Sequence, residues 1–424
     1  MGDSVSTATG ILKTDYEGAL GSLINTEHPF LSKIKRKTKG WVGKQLAYGV
    51  ITARNAGSRG INPDGKLPVA GNVGTAQTSI NSRTIAGRGQ ISVDLINSAK
   101  TDKGAFIEGI ELTMEGLKES CANNLGRQTF GRNYRITGGA NGYKTGLIGK
   151  VTTGANSATQ TFDTNHYFEP GRAYYIGTTT QLIAASAGAP SGGVTASVVS
   201  VSTDGVTVVF DGIISTTTAD YVCQYDANGG SFDREIGGTE FLVDDGTTDD
   251  YLGVDPATYS AWAATVKGNG VVGSVPGTLR PLTLRLMDLT VDAIQIASGK
   301  YPNLMVVDES FRREYVELLR NDVRYAPGQL AGGDATVSYT HFGQKIEMVT
   351  DRQAPYGVAT FLNTNTIDLA EKQPWKFMEA DGSVLSRVPD YFAYELTYGW
   401  QGELATHSRN THGKLADVSY SLTA

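Results

Sequence analysis

Residues 41–54 read WVGKQLAYGVITAR, residues 55–74 read NAGSRGINPDGKLPVAGNVG, and residues 75–96 read TAQTSINSRTIAGRGQISVDLI. In the first segment Val42, Leu46, Tyr48 and Val50 mostly alternate with other residues, the period of a strand with one covered face. The third carries Ile80, Ile85, Ile91, Val93 and Leu95 among polar neighbours and predicts a returning strand over 75–96. Between them lies a stretch punctuated by Asn55-Ala56-Gly57, Arg59-Gly60, Pro63-Asp64-Gly65 and Leu67-Pro68. It is too long and too rich in glycine to be a compact loop inside a domain. Residues 41–97 therefore predict a long two-stranded ribbon. An isolated pair of strands is marginal in water, so the ribbon needs cover from outside itself, and another copy of the chain is the expected cover.

The pattern changes on either side. Upstream, Leu20, Leu23 and Ile24 share one helical face that His28-Pro29 breaks. A basic run follows: Lys33, Lys35, Arg36, Lys37 and Lys39. It reads either as a solvated arm or as an arm laid on an acidic partner surface or near nucleic acid. Downstream, Ile107, Ile110, Met114, Leu117, Cys121 and Leu125 step by three and four, as on one face of a helix. Asp102 is placed to cap this helix and Gly126 or Gly131 to end it. Glu108, Glu111, Glu115 and Glu119 occupy its remaining faces. They form either a solvated side or a docking surface for Arg54, Arg59, Arg83 or Arg88 of a neighbour's ribbon.

Residues ~145–226 predict an inserted all-β module. Short strands are expected around 161–162 and at 173–176, 195–201 and 206–210, with Asp204-Gly205 as a hairpin signal and Pro170-Gly171 as a turn. Four to six short strands in so few residues predict a small barrel. Further on, Pro281 is placed to open a helix with Leu282, Leu286, Leu289, Ala293 and Ile296 on one face and Gly299 as its stop. The apolar run Leu304-Met305-Val306-Val307 reads as a strand, and Asp308 caps a helix carrying Phe311, Tyr315, Leu318 and Leu319. Strands are also expected at 345–350, 358–362, 392–396 and 400–404. No internal repeat is visible.

Composition bounds what such a chain does. It has 424 residues, 37 Lys+Arg against 43 Asp+Glu, and 40% apolar residues. Two to three domains and a sizeable core are expected. Glycine, at 52 residues, exceeds the usual ~7% and favours turns between strands. No apolar run reaches the length of a membrane span, and residues 1–4 lack a leader pattern. Cys121 and Cys223 cannot build a disulfide framework or a zinc site by themselves, so a reducing compartment and small apolar roles are expected. Mild acidity, a net charge of -6, argues against broad nucleic-acid binding. Signatures of nucleotide-binding loops, hydrolase elbows and zinc helices are absent, so no enzyme activity and no cofactor are expected. His407 and His412 have no acid or cysteine nearby in sequence to complete a metal set. The acidic cluster Glu240, Asp244, Asp245, Asp249 and Asp250 lacks calcium-loop spacing and reads as a solvated turn.

The order of parts now carries a resemblance. A basic arm, a glycine-rich ribbon, an acidic helix, a β insert and a mixed end-domain resemble the major capsid protein of tailed bacteriophages, a fold shared with encapsulin shells. Residues 238–246 with Tyr259 and Trp262 look like the stretch leading into the main helix of such coats, and 282–296 look like that helix. Residues 302–311 look like the strand-helix step of the axial domain, and 400–402 with 409–415 like the closing strands of the peripheral domain. The resemblance implies an α+β fold. Its parts would be an N-terminal arm (1–40), an extended β-hairpin loop (41–97), the spine helix and peripheral domain (98–144), and an inserted small β-barrel-like domain (145–230). An axial domain with the main helix (231–395) and closing peripheral strands (396–424) would complete it.

The function implied is self-assembly into pentamers and hexamers of an icosahedral shell enclosing double-stranded DNA, in a virion assembled in the host cytoplasm. Implied partners are further copies, a separate scaffolding protein (no charged helical scaffolding segment is visible here), a portal and a decoration protein. DNA would be enclosed without sequence-specific contact and no membrane would be involved. Inter-subunit contacts are expected at Arg54, Arg59, Lys66, Arg83, Arg88, Glu108, Glu111, Glu115 and Glu119, and arm contacts at Lys33, Lys35, Arg36 and Lys37. Lys66 lies near the loop tip, but no cross-linking pair can be assigned. A tail-tube or adhesion protein, an encapsulin-type compartment and an enzyme stay open as alternatives.

Overall fold

The computed structural model describes residues 28–43, 45–62, 64–93, 103–131, 134–135, 143–188, 190, 192–226, 228–245, 251–256, 258–269, 278–320, 338–379, 384–389 and 391–422. The helical face at Leu20–Ile24, the Asp102 cap, Asp249, Asp250 and the side chains of Glu108 and Glu111 lie outside the described residues. The fold is α+β, with strands in the majority.

Helix α1 (Pro29–Lys33) begins at Pro29, whose fixed φ suits the first helical position. Its Phe30 and Leu31 enter the core. Strand β1 (Lys35–Lys37) then pairs parallel with Asp368, Leu369 and Ala370. The basic run thus forms part of the subunit's own sheet, with Lys35 and Arg36 exposed. It is an edge strand of this chain's own sheet, held by backbone pairing that charge pattern alone does not reveal.

The ribbon consists of β2 (Gln45–Ala53) and β3 (Gly74–Asn81), antiparallel from Gln45 opposite Asn81 to Ala53 opposite Gly74. The expected returning strand breaks at Ser82. Its second half, β4 (Arg83–Ser92), leaves the ribbon and pairs with residues 393–402. Period-two alternation marks a strand but does not name its partner. Helix α2 (Lys103–Phe130) lies directly on β4: a Cβ added at Gly87 would stand 2.6 Å from Cys121 Sγ. The helix ends at Gly131, whose φ is +55° and whose N–H donates to Arg127 O at 3.0 Å. Gly126 is interior to the helix, and its bare Cα admits the His28 ring.

The insert is a closed six-stranded barrel. It is built from β5 (Leu147–Thr153), β6 (Asn156–Phe162), β7 (Ala173–Gly177), β8 (Val194–Val201), β9 (Thr207–Ser215) and β10 (Tyr221–Asp226), with helix α3 (Thr179–Ser186) between β7 and β8. Pairing runs β10-β5-β6-β9-β8-β7, and β7 returns to β10. The Asp204-Gly205 turn forms as expected, Asp204 Oδ1 accepting from the N–H groups of Val206 and Thr207 at 2.9 and 2.8 Å. Phe162, Phe168, Tyr174 and Phe210 fill the interior.

After α4 (Gly238–Leu242) and β11 (Thr265–Lys267) come α5 (Leu284–Ser298), β12 (Leu304–Val307), α6 (Glu309–Arg320), β13 (Ser338–His341), β14 (Gln344–Thr350) and β15 (Ala359–Leu362). Then follow β16 (Ile367–Phe377), β17 (Ser386–Arg387), β18 (Ala393–Thr406) and β19 (Gly413–Leu415). A six-stranded sheet runs β11-β19-β15-β12-β14-β13, and a second sheet joins β1-β16-β18-β17 with β4 also on β18. The strands expected at 392–396 and 400–404 are one strand, and β16 escaped the sequence reading. All four residues of β12 are buried. Leu304 and Val306 face the core with Trp262, Trp400 and Leu404, whereas Met305 and Val307 face the core with Met287, Val291 and Phe311. Each such side chain contributes about 1.5–3 kcal/mol on burial.

Two local expectations are corrected. Thr283 caps α5, its Oγ accepting from Leu286 N–H, and Gly299 ends it at φ +71°; Pro281 lies outside. The buried face is Met287, Thr290, Val291 and Ile294, while Leu289 and Ile296 face outward. The helix carries two apolar stripes, and packing chose the one periodicity did not. Two members of the acidic cluster, Glu240 and Asp244, do not sit in a solvated turn: Lys414, itself buried, lies 2.8 Å from Glu240 and 3.9 Å from the buried Asp244. Burial alone would lower the ammonium pKa, but the two carboxylates outweigh it and hold it above its ordinary value.

Removing Lys414 strands two acids. Lys414→Met is expected to destabilise the subunit by about 3–5 kcal/mol, the cost of breaking a buried pair, read by urea unfolding; an unchanged midpoint would contradict this reading of the cluster. A second prediction concerns pH. Burial raises Glu403 to about 7, against hydrogen bonds from Gly237 N–H and Leu404 N–H. Burial, and then Arg409, lower His412 to about 3. Its Nδ1 accepts from Asn363 N–H at 3.2 Å, leaving the Nε2 proton among threonine hydroxyls. A raised acid contributes stability that is full below pH ~4.5 and lost as pH rises through ~7; a lowered histidine contributes stability present above pH ~6.5 and lost toward acid. Between pH ~4.5 and ~6.5 the two slopes oppose. Glu403→Gln should therefore fall in stability on acidification relative to His412→Asn, by on the order of 3 kcal/mol or more across that window, read as melting temperatures of the unassembled subunit.

Candidate assembly interface

Cover for the ribbon comes first from its own chain. Leu46, Tyr48 and Ile80 bury against Ala370 and Ala405, and Val50 and Ala76 pack partly on the main core. Beyond them cover ends: Ile51 is 75% exposed, Leu67 79% and Val69 86%. The connecting stretch keeps its shape with its own turns, Gly65 N–H donating to Asn62 O at 2.8 Å and Gly57 N–H to Asn55 Oδ1 at 2.7 Å. It thus presents apolar side chains to solvent on a defined backbone, as expected of a surface meant for another molecule.

The basic residues expected at contacts divide into two groups. Arg54, Arg59 and Lys66 are exposed on the outer ribbon and carry no ion-pair partner among the described residues. Arg83 and Arg88 are engaged within the chain: Arg83 donates to Asp233 O at 2.7 Å, and Arg88 pairs with Glu395 across β4 and β18. On α2, Glu115 is exposed and Glu119 half-buried. Among the arm residues, Lys33 pairs with Glu347 at 2.6 Å, Arg36 with Glu371 at 3.4 Å, and Lys37 lies 4.4 Å over the Tyr48 ring; Lys35 is exposed.

Charged groups that the sequence reading missed lie inside. Arg127, at the buried end of α2, donates to Glu235 at 2.6 Å and Asn124 at 2.8 Å. Asn123 donates to Glu169 of the insert and accepts from Gln353. This network joins α2 to the barrel. Only the burial of the helix end would have revealed it, and its period-3.6 stripe stops at Leu125. Cys121 and Cys223 are buried free thiols that burial pushes up to about 11 and about 12. Among the described residues no cluster of three or more His, Cys, Asp or Glu could hold a metal ion, and no helix is long and apolar enough to cross a membrane.

The architecture can be set beside known structures. The chain is similar to one of the cyanophage A-1(L) capsid asymmetric unit, with 14% identity, 98% of this chain and 99% of that chain covered, and a TM-score of 0.56. This chain has a phage capsid fold. It also aligns with a chain from the capsid of a native GTA particle at 11% identity, 98% and 99% coverage and TM-score 0.47. Alignment with the capsid of Myoviridae phage XM1 gives 10% identity, 95% and 100% coverage and TM-score 0.42. No family model matches the sequence, and no curated protein does. In this chain the closed barrel lies between α2 and α4.

The two kinds of charge pair predict different costs. Arg88→Ala should shift subunit stability by less than about 1 kcal/mol, as for half-exposed pairs. Arg127→Ala should cost about 3–5 kcal/mol by leaving Glu235 buried alone. Urea unfolding of both variants checks the ordering, and a reversal would contradict it.

Proposed function

We propose that this chain is a structural subunit of a shell, the major capsid protein of a tailed bacteriophage, and not an enzyme. Copies join by heterologous contacts into rings of five and six, and the rings close into an icosahedral shell around double-stranded DNA. The observation that carries the reading is the bare outer half of the ribbon in a chain whose capsid fold spans 98% of its length. A ribbon exposing Ile51, Leu67 and Val69 lowers its free energy by lying on another subunit. Arg54, Arg59 and Lys66 then meet acids of a neighbour, the candidates being Glu108, Glu111, Glu115 and Glu119 of α2. Arg83 and Arg88, already paired, drop out of the contact set. Many modest contacts of this kind add up through multivalency.

A separate scaffolding protein, a portal and a decoration protein remain proposed partners, with assembly in the host cytoplasm. A net charge of -6 suits a container that does not grip its DNA. No particular observation favours a tail tube, an adhesin or an encapsulin-type compartment.

Negative-stain microscopy of the purified product is expected to show closed shells. Tubes or small oligomers would reject the reading. Deleting residues 55–74 should leave a subunit with wild-type melting behaviour that forms no shells; normal shells from the deletion would reject the contact role of the ribbon.

A further inference from the structure

Four side chains from four chain segments meet at the root of the ribbon. The Tyr48 hydroxyl of β2 donates to Asp368 Oδ2 of β16 at 3.4 Å. His407, just past β18, brings Nε2 to 3.3 Å from the same oxygen. The Tyr48 and His407 rings meet edge-on, with centroids 4.5 Å apart and planes at 75°. Lys37 of β1 lies over the same ring, its Nζ 4.4 Å from the Tyr48 centroid. Tyr48 is also tied to the opposite strand, its N–H donating to Thr78 Oγ1 at 3.1 Å while the Thr78 hydroxyl donates back to Tyr48 O at 3.2 Å. Whatever holds Tyr48 therefore holds both strands.

The other contacts at the root are of a different kind. Leu46 and Ile80 rest on Ala370 and Ala405, small side chains that offer a smooth apolar seat. Such contact is non-directional and by itself does not define an angle. The hydrogen bond from Tyr48 to the Asp368 carboxylate is directional, and His407 approaches the same oxygen.

We infer that Tyr48 and Asp368, with His407 and Lys37, form a latch that fixes the angle at which the ribbon leaves the subunit. Tyr48 and Asp368 are thus positioning residues for assembly. The basic arm is part of the same device, because β1 holds Lys37 over the tyrosine. The inference rests on the shell reading for its consequence, since a ribbon at a variable angle would meet its neighbours at variable curvature. It does not rest on that reading for its mechanism.

Three variants separate the parts. Tyr48→Phe removes one hydroxyl and keeps the ring. Asp368→Ala removes the shared acceptor, and Asp368→Asn keeps an oxygen there. Amide hydrogen exchange is followed on the unassembled subunit over 45–53 and 74–81, with 304–307 as the internal reference. Exchange in the ribbon should quicken about fivefold in Tyr48→Phe and Asp368→Ala, roughly what one net hydrogen bond is worth. Asp368→Asn should stay near wild type and the reference should not change. Ribbon exchange equal to wild type, or quickening shared equally by 304–307, overturns the latch. Particles imaged by electron microscopy should be broad in diameter for Tyr48→Phe and Asp368→Ala and uniform for Asp368→Asn; uniform particles from all three overturn the positioning role. If the wild-type chain forms no particles, the shell reading has failed, while the exchange measurement still decides the latch.

Discussion

The ribbon of β2 and β3 is covered as far as Val50 and Ala76 and bare beyond them. Two strands alone cannot shelter both faces or satisfy both edges. Near the root, the chain solves this with its own sheet, setting Leu46, Tyr48 and Ile80 on Ala370 and Ala405. Farther out, the described residues leave Ile51, Leu67 and Val69 exposed. The apolar side chains from Ile51 to Val69 project on a backbone that local turns keep in shape. That division between shelter in the subunit and exposure beyond it is the constraint from which the shell reading follows.

What makes the exposed half affordable is the frame behind it. β18 spans Ala393–Thr406 and receives β4, β16 and β17. β12 separates two apolar cores. Two buried cations inside the frame are paired: Lys414 with Glu240 and Asp244, and Arg127 with Glu235. Such pairs add little net stability over apolar substitutes but penalise any arrangement that separates them. In this chain they sit where distant segments meet, residue 240 with 414 and 127 with 235. They therefore bear on which arrangement forms more than on how stable it is.

Local signals were read where one segment carries its own chemistry. Asp204-Gly205 made its turn, Asp308 capped α6, Gly299 stopped α5, and Leu304-Met305-Val306-Val307 formed a buried strand. Readings failed where the outcome depended on a distant partner. Residues 83–92 alternate as well for β18 as for the ribbon. The charge pattern of Lys35-Arg36-Lys37 does not reveal the strand it forms with Asp368–Ala370. Leu289 and Ile296 form as good a stripe as Met287, Val291 and Ile294, and only the sheet beneath α5 chooses between them. Arg83 and Arg88 likewise find Asp233 and Glu395 within the chain.

By itself the sequence determined the order of parts: an arm, a long glycine-rich ribbon, a long helix, a β insert and a mixed end-domain. Periodicity, capping residues and turn dipeptides act over a few residues, and a chain carries them wherever it goes. Tertiary structure decided which strands pair, which helix face is buried, which charges are neutralised inside, and where on the ribbon the subunit's own cover ends. Those are outcomes of competition among segments hundreds of residues apart, settled by burial and hydrogen-bond geometry once the whole chain has folded.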